Sequence, residues 1–251
     1  MKPDVVVDVG NTRIKWGRCA PEGVAEIASL PPDDAGSWTE QIAEWGVASS
    51  ACWAVSGVHP ARRDQLADWL QHRGATVMIL ENYRRLPLRV AVPNPKGVGI
   101  DRLLNAVAAA SGTGRVDTAI IVDAGTAVTV DWVDGNGAFR GGAILPGFRL
   151  MAQALHEHTA LLPAVDTREP NPPLPGTDTE SAIRAGVYWA VAGGVKALIR
   201  QLGARSGSPR RSEVFITGGD AGLLLPVMDA DVRYWPEMTL EGIRLAAEAQ
   251  P

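Results

Sequence analysis

The sequence predicts an α/β protein made of two similar halves, and a repeated short motif is the main reason. Asp8-Val9-Gly10-Asn11-Thr12 and Asp123-Ala124-Gly125-Thr126-Ala127 each follow an apolar run and place an acidic residue, a glycine and a threonine in the same order. The two motifs begin at residues 8 and 123, so each opens about half of the 251-residue chain. Strands and helices alternate between them, which is typical of α/β domains. An internal duplication explains this pattern better than coincidence does.

The elements of the first half follow from hydrophobic spacing and breakers. The apolar run Val5-Val6-Val7, a glycine turn and a returning apolar segment predict a hairpin. Helical spacing over 36–46 is followed by a buried strand over 51–56, then by a helix that begins at Pro60 and ends before Gly74. A further strand is expected at 76–80. This order indicates a largely parallel sheet beyond the opening hairpin.

The second half repeats the order. Hairpin strands are expected at 119–131 and about 138–144, a helix at about 148–157 and a long helix at about 178–205. Thr177 and Glu180 fit a capping box at the start of that long helix. A late strand ends in Thr217-Gly218-Gly219. The expected domains are 1–115 and 116–251.

Composition excludes several classes of protein. The net charge is −4 and the Arg pairs are isolated, which argues against nucleic-acid binding. No uninterrupted apolar stretch approaches the roughly 20 residues of a membrane helix, and the N-terminus has no signal-peptide pattern. The expectation is a cytoplasmic protein with no membrane partner. Cys19 and Cys52 have no CxxC spacing, so neither a disulfide framework nor a zinc site is predicted.

The two acidic turns are candidates for phosphate binding. A glycine turn lets backbone N–H groups approach a phosphate, and the threonine hydroxyl can donate as well. The Asp of each turn would repel phosphate, so its expected partner is a cation. Taken singly, either turn is also consistent with an ordinary hairpin turn. No Walker pattern GxxxxGK[ST] occurs, so phosphate binding of the P-loop type is not predicted.

The segment 93–102 contains the candidate catalytic group. Asp101 and Arg102 follow two glycines and open a helix with apolar positions at Leu103, Leu104, Val107 and Ala108. Asp101 could deprotonate an alcohol while Arg102 binds a carboxylate of the same substrate. The alternative is that Asp101 is a helix N-cap and Arg102 a surface cation.

As an ordered set, these motifs resemble the type III pantothenate kinases of the acetate and sugar kinase/Hsp70/actin superfamily. The motifs are DVGNTRIKWG at 8–17, VGIDRLLNAVAA at 98–109, DAGTAVTVD at 123–131, GGAILPGF at 141–148 and TESAIRAGVYWAVAGGV at 179–195. The resemblance implies two ribonuclease-H-like (actin-like ATPase) domains with mixed sheets and ATP in an interdomain cleft. The implied reaction transfers the γ-phosphoryl group of ATP to the 4′-hydroxyl of pantothenate, the first step of coenzyme A biosynthesis.

The resemblance also implies roles for the residues of both turns. Asp8 would face Mg²⁺, Thr126 would contact ATP from the second domain, and Asp123 would bind a monovalent cation, K⁺ or NH₄⁺. The ATP phosphates would be lined by a continuous run of residues, namely Asp8, Val9, Gly10, Asn11, Thr12, Arg13, Ile14 and Lys15.

The pantothenate site is carried over in the same way. Asp101 would be the general base, and Arg102 the carboxylate ligand. Thr179 would contribute to the pocket, either of its own subunit or of the neighbouring subunit, because the family forms homodimers. Many members have a substrate-contacting Tyr where this chain has Val92. The remaining residues that would shape the pocket are Gly99 and Ile100.

Two other functions are compatible with parts of the pattern. Another small-molecule kinase of the same superfamily would share the acidic turns but would not need the Gly-Ile-Asp-Arg segment. A nucleotide-binding regulator without catalysis would not need the Asp and Arg residues of these motifs.

Overall fold

The computed structural model describes residues 2–112, 118–205 and 212–250, and these residues separate into two units. The first unit comprises 2–112 together with 237–250, and the second comprises the described residues from 118 to 236. Each unit has its own sheet and its own core.

The first unit is built on a five-stranded mixed sheet. Its strand order is β3-β2-β1-β4-β5, in which β1 is antiparallel to β2 and parallel to β4, and β4 is parallel to β5. Short 3₁₀ turns occur at Tyr83–Arg85 and Pro95–Gly97. The elements in chain order are β1 (Val5–Val9), β2 (Ile14–Ala20), β3 (Gly23–Leu30), α1 (Ala35–Trp45), β4 (Cys52–Gly57), α2 (Pro60–His72), β5 (Thr76–Ile79), β6 (Arg89–Val90) and α3 (Ile100–Gly112).

The second unit repeats this arrangement strand for strand. Its central order is β9-β8-β7-β10-β11, in which β7 is antiparallel to β8 and parallel to β10, and β10 is parallel to β11. A 3₁₀ turn at Leu225–Val227 precedes the last strand. The elements of this unit in chain order are β7 (Ala119–Ala124), β8 (Ala127–Val133), β9 (Ala138–Pro146), α4 (Phe148–Glu157), α5 (Thr179–Arg205), β10 (Glu213–Thr217), α6 (Ala221–Leu224) and β11 (Arg233–Tyr234). The last helix of the chain, α7 (Met238–Glu248), belongs to the first unit. The predicted fold class, a duplicated α/β chain with mixed sheets, is confirmed.

Aromatic packing organises the core of the first unit. Trp16 of β2 lies edge-on to Trp53 of β4, with ring centroids 4.9 Å apart, and both rings are fully buried. Trp45 contacts the same cluster from the end of α1. These large side chains pack with residues of β1, β2 and β4. Close packing of this kind fixes the positions of the strands, including the carboxyl ends of β1 and β4.

The long helix α5 forms much of the core of the second unit. Val191, Ala192 and Val195 have no exposed surface and pack with residues of β7 and β8. By length and composition alone α5 could cross a membrane, and among the described residues it is the one helix that passes this test. Core helices of soluble proteins pass the same test, so the finding is weak evidence.

The C-terminal helix differs from the expected domain division. The sequence predicted a second domain over 116–251, whereas α7 belongs to the first unit. The reason is apolar packing: Leu240 and Ile243 are fully buried, and Thr239 Oγ1 donates to Asn105 Oδ1 of α3 at 2.8 Å. The boundary expected near residue 115 falls outside the described residues.

Two local predictions also need correction. The sheet beyond the opening hairpin is parallel at β4 and β5, but β3 adds an antiparallel strand that the sequence reading missed. At the start of α5 the capping residue is Asp178 rather than Thr177. Asp178 Oδ1 accepts from Ser181 N at 2.9 Å, and Ser181 Oγ accepts from Asp178 N at 3.1 Å. The box is shifted by one residue because Ser181 can reach back to the cap.

Candidate active site

The first acidic turn joins β1 to β2 and is closed by its own backbone. Val9 and Ile14 are the last paired residues, and Gly10 N donates to Arg13 O at 3.1 Å. Asp8 lies one residue before the end of β1 and is half-buried. The residues at the tip are exposed and therefore available to a ligand, namely Asn11, Thr12 and Arg13. Of the predicted ATP-binding residues, the whole run from Asp8 to Lys15 thus lies on this turn and its two strand ends.

The second acidic turn joins β7 to β8 in an equivalent way. Gly125 N donates to Ala127 O at 3.1 Å, which closes a turn that is one residue shorter than the first. Asp123 is half-buried and stands opposite Thr129, while Thr126 is exposed at the tip. Asp123 and Thr126 are therefore brought together on one turn of the second unit.

A hydroxyl and a glycine accompany each turn from the neighbouring parallel strand. Ser56 lies in register with Asp8, and Thr217 lies in register with Asp123. The glycines that follow, Gly57 and Gly218, have positive φ angles of 146° and 97°. A Cβ at either position would lie 2.6 Å from the backbone nitrogen of Val9 or Ala124, so only glycine lets the strands approach this closely. The sequence reading missed Ser56-Gly57, although its match to Thr217-Gly218 is a second signal of duplication.

Asp101 lies in the first turn of α3, as predicted. Burial raises the pKa of its carboxyl, while the backbone N–H of Arg102 and the Arg102 charge act in the opposite direction. A Cβ on Gly99 would lie 2.5 Å from Asp101 Oδ1, so the carboxylate occupies the space that a side chain at position 99 would need. The helix is anchored behind it, since the predicted apolar positions are buried, namely Leu103, Leu104, Val107 and Ala108. Gly99, Ile100, Asp101 and Arg102 form one continuous, half-buried segment.

Thr179 begins α5 in the second unit and is exposed. It lies at a cavity of about 780 Å³ between α4 and α5, lined by apolar side chains such as Met151, Leu155 and Ile183. Within its unit, Thr179 lines this cavity rather than the Asp123 turn.

The acidic residues fit the cations that the resemblance implies. Mg²⁺ is usually held by one or two carboxylates together with substrate phosphates, and Asp8, near the end of β1 and before the exposed tip of the first turn, could supply one such carboxylate. K⁺ and NH₄⁺ take oxygen ligands, which Asp123 and the Thr126 hydroxyl can supply. Among the described residues, no group of three or more His, Cys, Asp or Glu side chains could by itself hold a metal ion.

The repeated sheet with an acidic turn at each central hairpin defines the class of protein: the chain has the fold of the actin-like ATPases and sugar kinases. Component A of (R)-2-hydroxyglutaryl-CoA dehydratase from Acidaminococcus fermentans shares this fold with a TM-score of 0.55 and 16% identity, over 99% of both chains. A Campylobacter jejuni protein described as a conserved Baf family transcriptional activator matches with a TM-score of 0.64 and 18% identity, over 97% of both chains. At these identities the likeness shows the fold alone.

Sequence comparison identifies the family. The family model for type III pantothenate kinase matches residues 5–201. A type III pantothenate kinase of Acidiphilium cryptum is 35% identical over 98% of this chain and 95% of its own length. One from Akkermansia muciniphila is 33% identical over 97% of each. The chain belongs to the type III pantothenate kinase family.

Proposed function

We propose that this chain transfers the γ-phosphoryl group of ATP to the 4′-hydroxyl of pantothenate, with Asp101 as the general base. The site assignment rests on the position of the Asp101 carboxylate. It lies in the first turn of α3 and fills the space that a side chain at Gly99 would need. Family membership supports the reaction, a phosphotransfer to an alcohol.

The first acidic turn is suited to hold the ATP phosphates. Its exposed tip offers backbone N–H groups, the Thr12 hydroxyl and the Arg13 guanidinium to phosphate oxygens. Lys15 follows on β2 and is half-buried, so its ammonium can add a further positive charge. When bound with ATP, Mg²⁺ at Asp8 would neutralise charge on the transferred group. Thr126, on the second acidic turn, would also contact ATP.

Asp101 would accept the proton of the pantothenate hydroxyl. Burial raises the pKa of this carboxyl, which makes it a stronger base than an ordinary aspartate once it is ionised. In phosphoryl transfer, positioning and charge neutralisation supply most of the rate enhancement. Asp101 therefore has to be held in place as well as to accept a proton, and the buried apolar side of α3 provides that support.

The remaining substrate contacts follow from the segment around Asp101. Arg102 would bind the pantothenate carboxylate through its guanidinium fork. Gly99 and Ile100 would shape the pocket, and Thr179 would contribute from this subunit or from the partner of a homodimer. Val92 is half-buried and cannot donate a hydrogen bond where many family members have a Tyr. We expect affinity for pantothenate to rest on the Arg102 contact for this reason.

The cation, assembly and location belong to the same proposal. Asp123 would bind K⁺ or NH₄⁺. The protein would act as a cytoplasmic homodimer, with no nucleic acid or membrane as a partner. The net charge of −4 and the absence of a basic run support the exclusion of nucleic acid.

An acceptor panel tests the reaction. The purified protein is supplied with Mg-ATP and K⁺, and ADP release is measured with pantothenate, acetate or a hexose as acceptor. We expect 4′-phosphopantothenate to form, and acetate and the hexose to give no more ADP than a blank without acceptor. Turnover with acetate or a hexose, but not with pantothenate, would contradict the proposal.

A further inference from the structure

Arg62 lies outside every motif discussed so far, yet it is bound to the first acidic turn. Its Nη1 donates to the backbone oxygen of Asn11 at 2.6 Å. Asn11 is at the exposed tip of the turn. A hydrogen bond from a guanidinium is charge-assisted and stronger than a neutral one, so it can restrain the tip.

The other edge of the same guanidinium is held by a carboxylate. Arg62 Nε donates to Asp33 Oδ1 at 3.3 Å, and Arg62 Nη2 donates to Asp33 Oδ2 at 3.0 Å. Asp33 lies in the segment between β3 and α1. A planar guanidinium can use both edges at once, whereas a lysine ammonium at this position could not make the fork and the carbonyl contact together.

The backbone of Arg62 is held in a helix that packs on the core of the first unit. Arg62 lies in the first turn of α2, where His59 Nδ1 accepts from its backbone N–H at 3.4 Å. Helix α2 is anchored by Leu66 and Leu70, which are fully buried against the core of the first unit. The guanidinium is therefore attached at one end to a rigid helix and at the other to the tip of the turn.

We propose that Arg62 and Asp33 form a clamp that positions the Asn11 tip for binding the phosphates of ATP. This inference rests on the proposed function, in which the turn holds those phosphates. Arg62 acts through the backbone of Asn11 and is a positioning residue. Phosphoryl transfer depends on precise placement, so a turn that moves by about 1 Å loses binding and rate.

A direct phosphate contact by Arg62 would predict the opposite effect at Asp33. If the guanidinium bound phosphate itself, replacing Asp33 would release it and strengthen ATP binding. If Arg62 acts as a clamp, replacing Asp33 lets the guanidinium swing away from Asn11 and weakens ATP binding. The sign of the Asp33→Asn effect therefore separates the two roles.

The experiment measures the Kd of Mg-ATP by calorimetry for the wild type and for variants, without pantothenate. We expect Arg62→Met to raise this Kd about tenfold and Asp33→Asn about threefold. Arg62→Lys keeps the positive charge but loses the guanidinium fork, so we expect its Kd to resemble that of Arg62→Met. The double variant should be no weaker than Arg62→Met alone, since both changes break one clamp.

Arg73→Met is the matched control. Arg73 is the residue that ends the same helix, and its guanidinium lies over the ring of Trp69, 4.7 Å from the centroid. It has the same charge as Arg62, so a general electrostatic effect of losing one arginine would appear in both variants. We expect the Arg73→Met protein to bind Mg-ATP as the wild type does.

Steady-state kinetics give the second readout. In the Arg62 and Asp33 variants the KM for ATP should rise, while the KM for pantothenate stays within about twofold and the Tm stays close to that of the wild type. An unchanged Kd for Mg-ATP in Arg62→Met, or a lower Kd in Asp33→Asn, would overturn the clamp. A wild type that binds Mg-ATP but does not phosphorylate pantothenate would contradict the proposed function and leave the binding test of the clamp in force.

Discussion

The two acidic turns share one scaffold but are supported in different ways. In both, an Asp lies near the end of a strand, a hydroxyl residue stands in register on the next parallel strand, and a glycine with positive φ follows. The first turn is held at its tip by an ion pair on the surface, through Arg62. The second is enclosed by backbone: Gly147 N donates to Thr126 O at 3.0 Å, and Asp220 N donates to Ala124 O at 2.9 Å.

The two turns should therefore respond differently to substitutions in their surroundings. The side-chain clamp restrains the first turn through one surface contact, so the position of that turn is sensitive to single substitutions of Arg62 or Asp33. The second turn is held by backbone hydrogen bonds from two neighbouring segments, so substitutions of surface side chains should affect its position less. The predictions below follow this contrast from the largest expected effect to the smallest.

Loss of the close approach beside the second turn should have the largest effect. In Gly218→Ala the new Cβ would lie 2.6 Å from Ala124 N, on a backbone with φ of 97°. The strain and the clash should together lower the free energy of unfolding by about 3 kcal/mol, measured by urea denaturation. Gly219→Ala is the control, because a Cβ there has no atom within 4 Å. Equal stability of the two variants would contradict the close approach of Gly218 to the backbone of β7.

Removal of the second carboxylate should change the cation dependence. In Asp123→Asn we expect kcat/KM to fall roughly a hundredfold in K⁺, and the difference between K⁺, NH₄⁺ and Na⁺ to disappear, since an amide attracts a cation less strongly than a carboxylate does. The assay compares initial rates with each ion as the sole monovalent cation. A variant that keeps its preference among the ions would rule out Asp123 as the ligand.

Equivalent glycines in the two turns should respond differently. A Cβ on Gly10 would lie 3.0 Å from Arg13 O, whereas a Cβ on Gly125 would lie 3.7 Å from Ala127 O, an ordinary contact. Because the contact at Gly10 is the tighter one, we expect Gly10→Ala to raise the KM for ATP roughly threefold to tenfold. Gly125→Ala should change this KM by less than about twofold. A larger effect for Gly125→Ala would reverse the proposed contrast.

The stability effect of Asp101 should depend on pH. Burial raises the pKa of this carboxyl in the folded protein above its value in the unfolded chain, so ionisation destabilises the fold. As the pH rises from the ordinary Asp range through the raised pKa, the wild type should lose stability relative to Asp101→Asn. The Tm of Asp101→Asn should therefore exceed that of the wild type at neutral pH, and the advantage should vanish below the ordinary Asp pKa. A Tm advantage that is independent of pH would contradict this cause.

The sequence predicted the duplication and most regular elements because apolar periodicity and breakers are local signals. Both acidic turns and the position of Asp101 in the first turn of α3 were found in this way. Helix α7 and strand β3 were missed because their places depend on tertiary packing. Arg62 and Asp33 were missed for the same reason: the clamp joins residues 29 positions apart to a third segment, and no local pattern marks it.

The most direct test of the account compares the wild type with Asp101→Ala in the pantothenate kinase reaction. The account predicts that the wild type forms 4′-phosphopantothenate from Mg-ATP, and that the variant loses at least a hundredfold in kcat while its KM for pantothenate changes by less than about threefold. An Asp101→Ala protein with the kcat of the wild type would contradict the assignment of the base.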